Sequence, residues 1–226
     1  MSTGKNLILR TGNKEIVWQI RFDMFEVFEK YIRRHIEISD QDLELIRAAS
    51  AERKLRKWQS ILHEGEVWRY NCFIAGGCCR LYRFDKNGTD HTLRFAIENW
   101  WITDQESYNR ETASEYNIEA LAASTVILWT KDEWLELLQT IPALKLFHEK
   151  LTERAYEASQ RRIYYLISYS ATEKYLEFEK TYPSVFNSVP LHMVASYLGI
   201  SRETLSRIRR DFTKGIKNLP DNPKGS

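Results

Sequence analysis

The residues best placed to do chemistry lie near the C-terminus, in the run LGISRETLSRIRR at positions 198–210. Four arginines, Arg202, Arg207, Arg209 and Arg210, fall within nine positions there. A guanidinium is planar, permanently charged and able to donate two parallel hydrogen bonds, so such a cluster suits phosphate oxygens and the acceptor edges of bases. The 226-residue chain as a whole carries only +2. From Pro190 onward seven Lys/Arg stand against three Asp/Glu, a net +4, leaving 26 basic and 28 acidic residues before it. Positive charge is gathered at one end, and a polyanionic partner is expected there.

Those arginines need an element that presents them. VPLHMVASYLGISRETLSRIRRDFTK reads as two helices joined by a turn. In the first, starting at Pro190, Leu191, Val194, Ala195 and Leu198 point inward, and Ala195 is small enough to let a second helix cross closely. Gly199 supplies a positive-φ turn, Ile200 fills the gap between the helices, and Ser201 caps the second helix. The third position after that cap holds Thr204 rather than a glutamate, with Glu203 one place earlier. Leu205 and Ile208 face the core, leaving Arg202, Glu203, Ser206, Arg207, Arg209 and Arg210 outward. Arg202, Glu203, Ser206 and Arg207 are the candidates for reading base edges, arginine to guanine and glutamate to the cytosine amino group. Ser201, Thr204, Arg209, Arg210 and Lys214 are the candidates for backbone contacts. Double-stranded DNA is the expected partner.

The elements upstream change character twice. Phe22–Glu37 has apolar residues at 22, 25, 28, 32 and 36, the period of an amphipathic helix, and Ser39 or Asp40 can cap a second short helix. From about Arg53 the chain becomes rich in β-branched and aromatic residues, cut by Glu64-Gly65, Gly76-Gly77 and Asn87-Gly88. The last of these predicts a hairpin with a tight turn between CCRLYRF and DHTLRFA. A further strand pair is expected around Tyr116–Ala122 and Thr125–Thr130, making an antiparallel sandwich or barrel of six or more strands. Pro142 can open a helix at its first position, and Gly and Pro are absent from 143–168. That helix carries one stripe, Leu144, Phe147, Leu151, Ala158 and Tyr165, the candidate dimer residues, and a second at Ile163, Leu166 and Ile167. One face can lie on the sandwich and the other meet a second copy of itself, so a homodimer is expected. A shorter helix over Ala171–Tyr182 ends at Pro183. The organisation expected is α+β: a β-rich sensor over 1–141, a long dimerisation helix over 142–168 and a DNA-binding unit over 169–226.

Other chemistries find little support. Cys72, Cys78 and Cys79 are the only cysteines, without CxxC spacing, and are expected to pack as small apolar side chains in a strand. The five histidines show no ligand spacing, so neither a metal nor another cofactor is expected. No Ser/His/Asp, metal-ligand or phosphate-loop pattern points to an enzyme. No stretch is apolar enough to span a bilayer, and the N-terminus lacks a secretory core, so the expectation is a cytoplasmic protein.

A β-rich sensor, one long helix and then LGISRETLSRIRR resembles the cyclic AMP receptor and fumarate-nitrate-reductase regulator superfamily of bacterial transcription factors, and most nearly its Bacteroidetes-like branch. The resemblance runs from about Phe22 to Lys214. It implies a jelly-roll β-roll of the cyclic-nucleotide-binding kind, homodimerisation, contact with RNA polymerase, and base contacts by Arg202, Glu203 and Arg207. It also shows departures. Cyclic-nucleotide binders in the family carry Gly-Glu and, about ten residues on, Arg-Ser or Arg-Thr. Here Asp104 stands in for the Glu and Ser114-Glu115 for the Arg-Ser, so a phosphate would meet a carboxylate. Either a different, unidentified effector binds, with Trp100, Trp101, Asp104, Arg110, Ser114 and Tyr116 as candidate pocket residues, or the β-roll is a scaffold and the protein is controlled by its abundance. A true cyclic-nucleotide response, or a sensor acting through protein contacts, are the alternatives. The C-terminal DFTKGIKNLPDNPKGS is too short and proline-broken for the β-hairpin wing that usually follows the second helix.

Overall fold

The computed structural model describes residues 24–183, 185–186 and 189–213. Phe22, Lys214 and the tail in which a wing would follow lie outside them. Two short helices come first, α1 (Phe25–Arg33) and α2 (Asp40–Ala48), the latter capped by Ser39, whose hydroxyl accepts the Asp42 N–H. Eight strands follow: β1 (Ala51–Leu55), β2 (Ser60–Leu62), β3 (Tyr70–Gly76), β4 (Cys78–Phe84), β5 (Asp90–Ile97), β6 (Trp101–Ile102), β7 (Asn117–Ala120) and β8 (Ser124–Thr130). A one-and-a-half-turn helix, α3 (Gln105–Arg110), interrupts them between β6 and β7.

The strands form two four-stranded antiparallel sheets, ordered β1-β8-β3-β6 and β2-β7-β4-β5. The expected pair at Tyr116–Ala122 and Thr125–Thr130 is therefore corrected: β7 pairs with β4 and β2, whereas β8 lies between β1 and β3 in the opposite sheet. Apart from the β4–β5 hairpin, consecutive strands cross from one sheet to the other, as in a jelly roll. The hairpin at Asn87-Gly88 is present as β4–β5, but its turn spans residues 85–89. Asp85 organises it by accepting the N–H groups of Asn87 and Thr89, and only Gly88 of the pair takes positive φ.

Side-chain alternation sorts the residues into three cores. Between the sheets lie Leu55, Cys72, Ile74, Ile102, Val126 and Leu128 from one side and Leu62, Cys79, Leu81, Ala96, Ile118 and Ala120 from the other. The outer face of the first sheet is aromatic. Phe28 of α1 stands 4.9 Å from the Trp129 ring and 5.3 Å from Phe73, and Trp129 donates its indole N–H to the Ile46 carbonyl at 2.9 Å. α4 (Lys131–Thr140) and the first turns of α5 (Pro142–Ser168) close this layer through Trp134, Leu137, Leu144 and Phe147.

The outer face of the second sheet carries the C-terminal helices: α6 (Ala171–Thr181), α7 (Leu191–Leu198) and α8 (Arg202–Thr213). Phe95 and Cys78 of that sheet share one buried cluster with Tyr182, Phe178, Val194, Leu198 and Leu205. Burying each of the large side chains there contributes about 1.5–3 kcal/mol, so the helix pair is packed onto the sheet rather than tethered beside it.

Beyond Leu151, α5 leaves the body of the molecule, and residues 152–161 are exposed throughout. Of the stripe expected on this helix, Leu144 and Phe147 are buried and Leu151 half-buried against the sandwich, while Ala158 is exposed and Tyr165 half-buried beside Tyr169. Leu144, Phe147 and Leu151, expected at the dimer face, thus serve the protomer's own core instead, because the start of α5 lies on the outer face of the first sheet. Tyr156, Ile163, Leu166 and Ile167 remain exposed, Ile167 at 81%.

Candidate nucleic-acid interface and sensor interior

The α7–α8 pair is built as its residues dictate. Gly199 ends α7 in the left-handed conformation, φ 63° and ψ 38°, where a side chain would be strained. The Ile200 N–H returns to the Ala195 carbonyl at 3.1 Å. Ser201 Oγ accepts the Thr204 N–H at 3.1 Å and donates to Thr204 Oγ1 at 3.0 Å, so threonine completes the cap where glutamate usually does. Leu205 and Ile208 are buried, and Phe212 stacks on Tyr175 with centroids 5.3 Å apart. Those three spacings anchor one face of α8 and turn the opposite face outward.

On that outward face Arg202, Glu203, Ser206, Arg207 and Arg210 are exposed, and Arg202, Glu203, Ser206 and Arg210 line one shallow open hollow. Among the described residues none of Arg202, Glu203, Arg207 and Arg210 takes part in an ion pair, so their donors and acceptors are available to a partner. Arg209 departs from the expectation. It is half-buried, with its guanidinium 4.9 Å from the Phe186 ring centre, because one residue's step around a helix turns it back onto the domain. The hydroxyls of Ser201 and Thr204 are engaged with each other in the cap.

The residues expected around a sensor pocket do not converge on one space. Trp101 faces outward, against Phe28, Trp129 and Trp134. Trp100 packs on Tyr182 of the C-terminal unit at 5.3 Å. Arg110 lies at the surface, paired with Glu106 at 2.9 Å, and Tyr116 sits beneath the Arg83 guanidinium. Three of them meet at the Ser114 hydroxyl, which touches Asp104 through its side chain and Tyr116 only through the backbone, accepting the Tyr116 N–H at 2.9 Å. Ser114 Oγ donates to the buried Asp104 carboxylate at 2.6 Å, which also accepts the N–H groups of Glu106 and Ser107 at 3.1 and 3.3 Å. The open amides at the start of α3 are thus occupied by the chain's own carboxylate. Glu115, expected to oppose an incoming anion, instead points to the surface and pairs with Arg83 at 2.8 Å.

A buried ion network went unnoticed in the sequence. Arg80 is 4% exposed on the outer face of the second sheet, donating to Glu119 at 2.7 Å, Asp90 at 2.5 Å and Thr92 at 3.2 Å beneath the Tyr82 ring. The signal was Arg80 itself, a charge inside the apolar run CCRLY at an outward-alternating position. Ser196 of α7 reaches the same strand: its hydroxyl accepts the Thr92 N–H at 3.0 Å and donates to the Asp90 carbonyl at 3.2 Å.

The three thiols are free and buried in β3 and β4. Burial pushes those of Cys78 and Cys79 up to about 12 and holds Cys72 well above its ordinary value. Reactivity follows the thiolate, so a thiol reagent at pH 8 is expected to titrate none of the three in the folded protein and all three in denaturant. One fast native thiol would contradict this. Because the folded values are raised, the stability they contribute is complete below the unfolded thiol's value, roughly pH 8.5, and is lost as pH climbs towards 12.

Among the described residues no group of three or more His, Cys, Asp and Glu could hold a metal ion, and no helix is long and apolar enough to cross a membrane. Residues 52–141 match the family model of the cyclic nucleotide-binding domain. A search of curated proteins finds no significant sequence match. Solved structures do match. FixK2 from Bradyrhizobium japonicum superposes with a TM-score of 0.63 at 18% identity, covering 76% of this chain and 89% of its own. The catabolite activator protein of Thermus thermophilus gives 0.51 at 17%, covering 84% and 90%. A protein from Eubacterium rectale assigned to the crp/fnr family of transcriptional regulators gives 0.60 at 15%, covering 87% and 90%.

Proposed function

We propose that this chain, whose residues 52–141 match the family model of the cyclic nucleotide-binding domain and whose fold resembles solved regulators of the crp/fnr kind, is a homodimeric, sequence-specific DNA-binding transcription regulator. The observation that carries the reading is the outer face of α8, where Arg202, Glu203, Ser206, Arg207 and Arg210 stand exposed on a helix anchored from behind by Leu205 and Ile208. In this reading α7 and α8 are a helix-turn-helix. Arg202, Glu203, Ser206 and Arg207 read base edges in the major groove, and Arg210 holds a phosphate. Ser201 and Thr204 serve this reading through the cap that fixes the start of α8, since both hydroxyls and the Thr204 N–H are engaged there.

Dimerisation is supported by the far part of α5. Thr152, Tyr156, Ser159, Ile163 and Leu166 repeat at 4-3-4-3 spacing and are all exposed in the single chain. Paired about a dyad, two such helices bury that seam and set two copies of α8 on successive major grooves, about 34 Å apart. Cytoplasmic location and contact with RNA polymerase belong to the same reading.

The sensor domain in this proposal does not take a cyclic nucleotide. Asp104 fills the amide cluster where a phosphate would need donors, and its negative charge opposes an anion. Cyclic AMP and cyclic GMP at millimolar concentration are expected to leave the melting midpoint unchanged. A rise of several degrees with either would show binding to the folded state and sink this part of the account.

The experiment that tests the function is selection of bound duplexes from a random pool. Wild type is expected to enrich a palindromic motif, and Arg202→Ala to blur one position in each half-site. Retention of every duplex alike, with no enriched motif, would favour a sensor that acts through protein contacts.

A further inference from the structure

α7 presents two adjacent residues to two different parts of the molecule. Ser196 binds the β5 backbone, as described above. Tyr197 lies against α5: the Arg162 guanidinium sits 3.5 Å from its ring centre and donates to its carbonyl oxygen at 2.8 Å. The same ring meets Phe95 at 5.2 Å and Phe178 at 5.4 Å, and its hydroxyl is 3.3 Å from that of Tyr182. Two residues on, a Cβ placed on Gly199 would lie 3.6 Å from a methyl of Leu166 on α5. The turn between α7 and α8 is therefore held by α5 on one side and by the sensor sheet on the other, while the reading face of α8 points away from both.

Resting on the DNA-binding reading, we propose that Arg162 is a positioning residue that fixes the spacing between the two reading helices of the dimer. It makes no contact with DNA. It sits on the helix that carries the dimer seam, one residue before Ile163, and grips the turn that aims α8. A guanidinium suits the task because one flat group both stacks on the tyrosine ring and reaches the carbonyl; an ammonium can do only one of these well. With the grip intact, the second half-site is met by a helix already at the right distance, and the two contacts reinforce each other. Without it, each α8 still reads its own half-site, but the pair no longer shares a fixed separation.

The test compares wild type, Arg162→Ala and Arg162→Lys on three duplexes made from the selected motif: one half-site, the full palindrome, and palindromes with the centre lengthened or shortened by two base pairs. For Arg162→Ala we expect half-site affinity within about twofold of wild type, which also certifies a folded reading helix. Affinity for the native palindrome should fall by ~10-fold or more, and the preference for native over altered spacing should collapse. Arg162→Lys should lie between. Arg161→Ala, which removes a surface pair with Glu157, is the control and should match wild type. If Arg162→Ala keeps the wild-type spacing preference, the inference is wrong while the function stands. If wild type itself shows no sequence preference, the function fails and takes the inference with it.

Discussion

Arg207→Ala should lower affinity for the palindromic operator by at least ~30-fold. A bidentate arginine contact to a base edge is worth about 1–3 kcal/mol, and a dimer loses it twice, so the expected change is roughly 2–6 kcal/mol. Arg207 is exposed, free of ion pairs among the described residues, and one helical turn beyond Glu203. Its loss should also relax the base preference at one position in each half-site. Arg210→Ala makes the informative contrast. As a phosphate contact it should weaken binding to all sequences alike and reduce the slope of log affinity against log salt by about one per protomer. Arg209→Ala should act on the fold instead, since that side chain covers Phe186. Equilibrium binding over a salt series, on matched and scrambled duplexes, separates the three. Equal, sequence-independent losses at Arg207 and Arg210 would mean that Arg207 touches only phosphate.

Gly77→Ala carries the second large effect, on stability. Gly77 is the single residue between β3 in one sheet and β4 in the other, and it makes that crossing at φ 93°. A Cβ there would stand 2.3 Å from Ser124 Oγ and 2.7 Å from Ser124 Cα. Turning the serine side chain aside leaves the backbone clash in place, so β8, the central strand between β1 and β3, would have to shift. Ser124 Oγ also accepts the Cys78 N–H at 3.1 Å, and that bond would be lost with the shift. Backbone strain and overpacking each cost about 1–3 kcal/mol, so a loss of ~3–5 kcal/mol is expected, a fall in melting midpoint on the order of 10 °C. Gly88→Ala is the comparison. Its φ is also positive, but nothing lies within 4 Å of the added atom, so only the strain should register. Equal melting points for the two variants would refute the corner argument.

How far the sequence could be read followed the range of the interactions involved. Local signals carried well: Pro142 at the first position of α5, Gly199 in the left-handed turn and Ser201 capping α8 each depend on neighbours within four residues. The long helix and the helix pair were legible for that reason. Sheet membership was not. Alternation gives β7 and β8 the same appearance, and what assigns them to opposite sheets is pairing with strands distant in sequence, as for Ala51 with Leu128, 77 residues on, in β1–β8. The candidate site divides in the same way. The outward placement of Arg202, Glu203, Ser206 and Arg207 was readable because Leu205 and Ile208 fix the helix phase. Arg209 was misplaced because Phe186, which draws it inward, belongs to another segment. Nothing near Arg162 in the sequence marks it, since its partner Tyr197 is 35 residues on. The sensor residues were grouped by proximity along the chain, but β6 sends Trp101 to the outer face while Ile102 faces the interior, as successive residues of a strand must.

The central claim is a dimer in which two identical reading helices act on one symmetric site. The most direct measurement is the mass of the complex formed on a duplex bearing the selected motif, by sedimentation at protein concentrations spanning the binding transition. The account predicts two protomers on each palindromic duplex, with one half of the palindrome scrambled costing most of the affinity. A complex of one protomer per duplex, or one whose mass and affinity ignore the scrambled half, would contradict it.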